Sequence, residues 1–83
     1  MDRTLQEPAR YLVIIEQDGA MLARMYDAQR RQIIEFDAAS EEVAVMLAGL
    51  EPVHDGSEPA WDAALRGHNR HEREQAQVYE LDV

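Results

Sequence analysis

The residues with the greatest potential for chemistry lie in the segment HNRHERE, residues 68–74. Its two histidines, His68 and His71, stand three residues apart, and a third, His54, lies in a separate segment. Imidazole nitrogens and carboxylate oxygens are ordinary zinc ligands, and a site usually takes three or four of them. The three histidines with Glu72 therefore form a candidate metal set, although H-N-R-H is not the H-E-x-x-H pattern of zinc hydrolases.

The same segment also carries the pattern of a helix start. Asn69 at the N-cap and Glu72 three residues later fit a capping box, in which each side chain accepts a hydrogen bond from the other residue's backbone N–H. Gly67 then ends one helix, and a short second helix runs over about 70–76. The alternative is one helix that continues through Gly67, at a cost of ~1 kcal/mol relative to alanine. We favour the break, which places the two histidines on different elements and weakens the metal hypothesis.

Covalent catalysis has little support in the residue inventory. The chain contains no cysteine, and all eight of its Lys and Arg residues are arginine. The two serines, Ser40 and Ser57, each precede a helical pattern and are assigned as helix caps. The four glycines stand singly, so no glycine-rich phosphate loop is present. We therefore expect a protein that is not an enzyme, with no catalytic residue and no cofactor. The alternative is a small metal- or ligand-binding protein, or a hydrolase, that uses the histidine set.

Composition limits the class of partner and the compartment. The 83-residue chain has a formal net charge of −9 and a pI near 4.6. This acidity argues against binding to nucleic-acid phosphates or to anionic membranes, and it suits a basic protein partner. The absence of cysteine and of any signal peptide predicts a cytoplasmic protein, and arginine and alanine without lysine suggest a GC-rich bacterial genome. We predict a polar leader at residues 1–9 and one small α+β domain over residues 10–83.

Three strands are predicted in the first half of the chain. The first, at 10–17, contains a continuous apolar run from Tyr11 to Ile15, which is typical of a central strand covered on both faces. Asp18 and Gly19 follow it, and Asp-Gly between two strands predicts a two-residue type I′ turn. The second and third strands, at 20–27 and 32–37, alternate between two faces. In the second strand, one face carries Leu22, Arg24 and Tyr26 and the other carries Met21, Ala23 and Met25. In the third, one face carries Ile34 and Phe36 and the other carries Ile33, Glu35 and Asp37.

Short helices and a last strand complete the predicted fold. Ser40 caps a helix whose apolar residues recur at helical spacing, namely Val43, Met46, Leu47 and Leu50. Ser57 caps a second helix, and the last strand spans residues 77–83. The fold class is therefore α+β: a three-stranded antiparallel meander, then two or three short helices on one face, then a C-terminal strand (β-β-β-α-α-β). We expect the strand order 4-1-2-3, because it places the all-apolar first strand inside the sheet.

Two features of the fold are candidates for partner binding. Trp61, the only tryptophan, is expected to anchor the core, and binding to a partner is the weaker alternative. The strand at 32–37, if it lies at an edge of the sheet, offers a route to self-association. We predict a non-enzymatic accessory or protein-interaction module, with a basic protein or a second copy of the chain as its partner.

Overall fold

The computed structural model of the chain describes residues 9–81. The predicted leader lies outside this range apart from Ala9, as do the last two residues of the predicted C-terminal strand. Over the described residues the α+β class is confirmed, with a three-stranded meander first and a strand last. The elements, in chain order, are β1 (Tyr11–Gln17), β2 (Ala20–Tyr26), β3 (Gln32–Asp37), α1 (Glu41–Leu47), β4 (His54–Asp55), a 3₁₀ helix (Pro59–Trp61), α2 (Arg70–Gln75) and β5 (Gln77–Glu80).

The strands form one antiparallel sheet in the order β3-β2-β1-β5-β4. The predicted order is confirmed in that the C-terminal strand, β5, lies beside the central strand β1. Strand β4 is additional to the four predicted strands. It forms because the N–H of Val53 donates to the carbonyl of Val78 at 2.8 Å, which sets His54 opposite Val78. Within residues 9–81, β3 has no partner strand on its outer side.

The β1–β2 connection is the predicted two-residue turn. Asp18 and Gly19 both have positive φ, at 54° and 84°, which is the backbone requirement of a type I′ turn. Because the turn fixes the register of the hairpin, Ile15 lies opposite Leu22 and Val13 lies opposite Arg24. The two faces predicted for β2 follow directly from this register.

The β2–β3 connection is organised by the buried carboxylate of Asp27. It accepts hydrogen bonds from the backbone N–H groups of Gln29 and Arg31, both at 2.9 Å, and from Arg31 Nε at 3.0 Å. The backbone hydrogen bond from Arg31 is the leading reason that the pKa of Asp27 lies below its usual range. The charged form of Asp27 therefore helps to hold β3 beside β2.

Helix α1 follows the predicted capping pattern. The Oγ of Ser40 accepts from the N–H of Val43 at 3.3 Å, and Glu41 and Glu42 lie in the first turn, where negative charge suits the helix dipole. Val43 is buried, and the other members of the predicted stripe pack partly buried beside it: Met46, Leu47 and Leu50. The helix has seven residues. Across residues 9–81 no helix has the length and apolarity to cross a membrane.

The core lies on both faces of the sheet. Alternate residues of a strand point to opposite faces, and all four residues from Leu12 to Ile15 of β1 are buried. On one face Leu12 and Ile14 pack with residues of α1; on the other, Val13 and Ile15 pack with Trp61 and Leu65. The helical elements thus cover two faces, whereas the sequence analysis placed them on one. The physical reason is that β1 and β5 carry apolar residues on both faces of the sheet, so both faces must be shielded from water.

Residues 59–67 form the 3₁₀ helix and a series of turns, where the sequence predicted a regular helix with a Ser57 cap. Ser57 instead donates through its Oγ to the side chain of Asp55, which makes its own local turn. The segment still places two apolar side chains in the core. Trp61 and Leu65 are fully buried, and the N–H of Leu65 donates to the carbonyl of Trp61 at 2.9 Å.

Candidate functional site

The segment HNRHERE begins helix α2 with the predicted capping box. The N–H of Glu72 donates to Asn69 Oδ1 at 2.7 Å, and the N–H of Asn69 donates to Glu72 Oε1 at 3.2 Å. Gly67 has a φ of 99°, so the chain turns there instead of continuing as a helix. Helix α2 ends one residue earlier than predicted, and the alternative of one helix through Gly67 is wrong.

The structure does not gather the candidate metal set. His68 and Glu72 are brought together, with Nδ1 3.0 Å from Oε1. His71 is exposed on α2, and His54 lies on β4, where its Nδ1 is 2.9 Å from the carbonyl oxygen of the next residue. Among the described residues no three His, Cys, Asp or Glu side chains are placed to hold a metal ion together. The His68–Glu72 pair belongs to a different arrangement, which is centred on a buried arginine.

Arg24 is that buried arginine, with 8% of its surface exposed. Its Nε donates to Glu35 Oε2 at 2.6 Å, and its Nη2 donates to Gln17 Oε1 at 2.8 Å. Its Nη1 lies 2.9 Å from His68 Nε2. A guanidinium only donates, so Nε2 is the acceptor, and the proton of neutral His68 lies on Nδ1, which donates to Glu72. We call these five residues the Arg24 network: Arg24, Gln17, Glu35, His68 and Glu72.

The electrostatics of this network favour a charged Arg24 and a fully engaged His68. Burial alone would lower the pKa of Arg24, but its hydrogen bond to Glu35 and its interaction with Tyr26 outweigh burial and leave the pKa raised. Burial also raises the pKa of the Tyr26 hydroxyl, against the opposing effect of Arg24. The His68 side chain is 5% exposed, and both ring nitrogens have partners. The network therefore ties the start of α2 to the sheet, and it leaves neither nitrogen of His68 free to act as a base.

Trp61 lies in the core and presents no surface to a partner. The rings of Tyr11 and Tyr26 meet it edge-on, at centroid distances of 5.2 Å and 5.0 Å, a favourable geometry for aromatic pairs. The guanidinium of Arg30 lies 5.2 Å from the centroid of the Trp61 ring. The ring is 0% exposed, so a partner would contact it only if the core opened. Trp61 is thus the core anchor that the sequence predicted.

A polar hollow of about 490 Å³ lies beside the start of α2, lined by Ser57, His68, Arg70, Arg73 and Glu74. Its two arginines are already paired. Arg70 Nε donates to Glu74 at 2.9 Å, and Arg73 Nη2 donates to Asp62 at 2.7 Å. Because the positive charges are compensated within the chain, the hollow offers little attraction to an anionic ligand.

An open apolar groove lies between helix α1 and the strands β2 and β3, with a volume of about 610 Å³. The strands contribute Met25, Ile34 and Phe36, and the rest of the lining comes from α1. We call it the β3–α1 groove, and its lining residues are Met25, Ile34, Phe36, Glu41, Glu42, Val45 and Met46.

Two apolar side chains of the groove are largely open to solvent. Val45 is 74% exposed and Ile34 is 49% exposed, while Met25, Phe36 and Met46 are partly buried. Exposed apolar side chains that share one groove make it a candidate interaction surface. Methionine contributes two of the five apolar lining residues, and its unbranched side chain adapts readily to different partner shapes.

The charged groups beside the groove are acidic. Glu41 and Glu42 line it directly, and no arginine is among its lining residues. Glu35 and Asp37 lie on the same strand as Ile34 and Phe36, where alternation places their side chains on the opposite face. Carboxylates therefore stand on both sides of β3, next to an apolar surface.

Sequence reasoning did not single out this groove. The sequence predicts Ile34 and Phe36 on one face of a strand and Met46 on the apolar stripe of a helix, and such patterns are typical of a core. Val45 was the available signal, because it is a large apolar residue outside that stripe, on the side of the helix expected to meet water. The missing information was how far α1 covers the strands beneath it.

Comparison with protein-family models, with curated proteins and with solved structures found no significant match to this chain. The case for a function therefore depends on the groove and the network themselves.

Proposed function

We propose that the chain is a non-enzymatic interaction module whose β3–α1 groove binds a basic, amphipathic segment of a partner protein. The observation that carries the proposal is the combination of exposed apolar side chains and bordering carboxylates in one groove. Acidic residues beside an apolar surface complement a segment that carries both basic and apolar side chains.

The apolar part of the surface supplies a limited amount of binding free energy. Full burial of an exposed Val or Ile side chain is worth roughly 1.5–3 kcal/mol, and Val45 and Ile34 still have 74% and 49% of their surface to bury. Association carries an entropic cost of several kcal/mol. These two side chains alone do not offset that cost, so we expect weak binding in which charge makes a necessary contribution.

The electrostatic part favours a basic partner. The chain has a formal net charge of −9, and Glu41 and Glu42 stand in the groove itself. Such a field increases the rate of encounter with a cationic segment, and the effect weakens as salt rises. The same field disfavours nucleic acid as a ligand, because phosphate binding depends on clustered cations.

The state of His68 supports a role other than catalysis. His68 is the histidine with carboxylate and guanidinium neighbours, yet both its nitrogens are occupied within the Arg24 network. A general base needs a free nitrogen within reach of its substrate. The network is better suited to holding α2 against the sheet than to proton transfer.

A matched pair of variants tests the proposal. Val45 lies in the groove and is 74% exposed, while Val53 lies outside it and is 53% exposed. The variants Val45→Arg and Val53→Arg change the net charge equally and leave the core intact. We expect Val45→Arg to weaken binding of a fluorescently labelled peptide of arginine and valine by at least about tenfold, near 1.4 kcal/mol, and Val53→Arg to weaken it by less than about threefold, measured by anisotropy.

Equal weakening by the two variants would contradict the proposal, because it would show that only the overall charge attracts the peptide. Failure of the unsubstituted chain to bind the peptide at millimolar concentration would also contradict it. A salt series at fixed peptide concentration separates the contributions, since the apolar part persists when the charges are screened.

A further inference from the structure

The outer edge of β3 indicates the conformation in which a partner segment binds at the groove. We infer that the partner segment binds as an extended strand added to the outer edge of β3, with apolar residues facing the β3–α1 groove and basic residues alternating with them. This inference rests on the proposed function and adds to it the conformation and the sequence pattern of the segment.

Within residues 9–81, the backbone of β3 has hydrogen-bonding groups along its outer side that no other strand uses. Ala38 N–H donates to the carbonyl of Met21 at 3.1 Å, and the β2–β3 register continues through Phe36 opposite Ala23. In an antiparallel pair, residues alternate between facing the partner strand and facing away. Glu35, between these positions, therefore directs both its N–H and its C=O outward.

Asp37 extends this outer row by one group. Its N–H faces outward by the same alternation, while its carbonyl accepts from the N–H of Ser40 at 3.1 Å. Three backbone groups, from Glu35 and Asp37, are thus available to an added strand, and strand addition gains its affinity from groups of this kind.

The two faces of β3 then dictate the side chains of the added strand. A residue directly opposite another in a sheet points to the same face. Residues opposite Ile34 and Phe36 would lie on the groove face and should be apolar. Those opposite Glu35 and Asp37 would lie on the other face. Glu35 is already paired with Arg24, so the Asp37 carboxylate is the group there that favours arginine or lysine. The result is a period of two, apolar then basic.

Charge excludes a second copy of β3 as the preferred occupant. An antiparallel pair of two β3 strands would place Glu35 and Asp37 beside the same carboxylates of the other copy, and like charges opposite one another destabilise a sheet. Exposed edge strands commonly carry charges that prevent such self-pairing. A basic strand of another protein meets no such repulsion.

Two peptides of one composition distinguish a bound strand from a bound helix. The first alternates valine and arginine, and the second places the same residues so that valine recurs at i, i+3, i+4 and i+7, as on one helix face. We expect the alternating peptide to bind at least about tenfold more tightly, near 1.4 kcal/mol. Tighter binding of the helical-pattern peptide would overturn the inference and leave the proposed function standing. If neither peptide binds at millimolar concentration, the proposed function fails as well.

Backbone methylation of the alternating peptide tests the hydrogen bonds between the peptide backbone and β3 without altering the protein. N-methyl groups on every second residue either face β3 or face away from it, according to which set is modified. We expect one set to abolish binding and the other to leave the Kd within about threefold. An equal effect of the two sets would contradict strand addition.

A charge variant of β3 gives the protein-side control. Asp37→Asn keeps the acceptor for the N–H of Ala39, which now lies 2.9 Å from Asp37 Oδ1, and removes the charge. Glu80→Gln removes an exposed carboxylate on β5, away from the groove. We expect Asp37→Asn to weaken binding of the alternating peptide by about threefold to tenfold, and Glu80→Gln to weaken it by less than about twofold. A dimer of the unsubstituted chain on sedimentation without peptide would show that self-pairing, and not a basic partner, is the function of this edge.

Discussion

Replacement of Arg24 with methionine tests whether the Arg24 network stabilises the fold. Methionine keeps much of the side-chain volume and removes the charge and every donor. Glu35, Gln17 and His68 would each lose a hydrogen bond from Arg24. The Glu35 side chain is 38% exposed, so water can replace its lost partner, but the His68 side chain is 5% exposed. Its Nε2 would lose its donor at a largely buried position.

We expect Arg24→Met to lower the free energy of unfolding by about 3 kcal/mol. Removal of one partner from a fully buried ion pair costs roughly 3–5 kcal/mol, and the exposure of Glu35 reduces this because solvent screens the carboxylate. An unsatisfied buried acceptor on His68 adds roughly 1–3 kcal/mol. In a domain of this size a loss of 3 kcal/mol corresponds to a fall in Tm of roughly 12–24 °C.

Urea denaturation followed by circular dichroism measures this loss, with Arg66→Met as the control. Arg66 is exposed in the turns after the 3₁₀ helix, so its replacement should change the free energy of unfolding by less than about 0.5 kcal/mol. If the two variants lost equal stability, the buried hydrogen bonds of Arg24 would contribute nothing beyond those of a surface arginine, and the stabilising role of the network would be refuted.

Two further changes test local features of the fold. Asn69→Ala removes an acceptor of the capping box and should lower the free energy of unfolding by about 1 kcal/mol; Asn69→Asp keeps the acceptor, and an equal loss in both variants would contradict the capping role. The pKa of Asp27 is lowered in the folded state, so its stabilising effect is complete above its unfolded pKa, near 4, and is lost as pH falls through the folded pKa. Urea titrations should therefore show the unsubstituted chain losing more stability than Asp27→Asn below about pH 4, and parallel curves would show that the charge contributes nothing.

Much of the fold was predictable because short-range signals specify it. Asp18 and Gly19 require only their own backbone preferences to form the turn, and Ser40 and Asn69 each act within three residues of chain. The strand order followed from one long-range argument, that the all-apolar strand β1 must lie inside the sheet. Each of these features agrees with the structure because local preference and global packing favour the same outcome.

The structure differs from the sequence prediction where packing against segments distant in the chain decides which surface is buried. Strand β4 forms because Val53 meets Val78 across the chain, and no local pattern predicts that contact. The placement of helical elements on both faces depends on how residues 59–67 cross the sheet. A periodic pattern shows that a residue is apolar on one side, but it does not show which segment covers that side.

The candidate sites also divide into features set by short-range signals and features set by contacts between distant residues. The capping box was visible in the sequence, but the contact of Arg24 with His68 joins residues 44 apart in the chain and depends on the completed fold. The β3–α1 groove was invisible for a related reason. Its apolar side chains belong to patterns typical of a core, and only the structure shows that Ile34 and Val45 remain exposed.

Mapping of amide chemical shifts tests most directly the claim that the β3–α1 groove is a binding site. The isotope-labelled chain is titrated with the alternating valine–arginine peptide, and shifts are followed along the backbone. We predict progressive shifts in β3 and α1, with little change in β4 and α2. Shifts centred on α2 and the polar hollow beside it, or no saturable shifts at millimolar peptide, would contradict the claim.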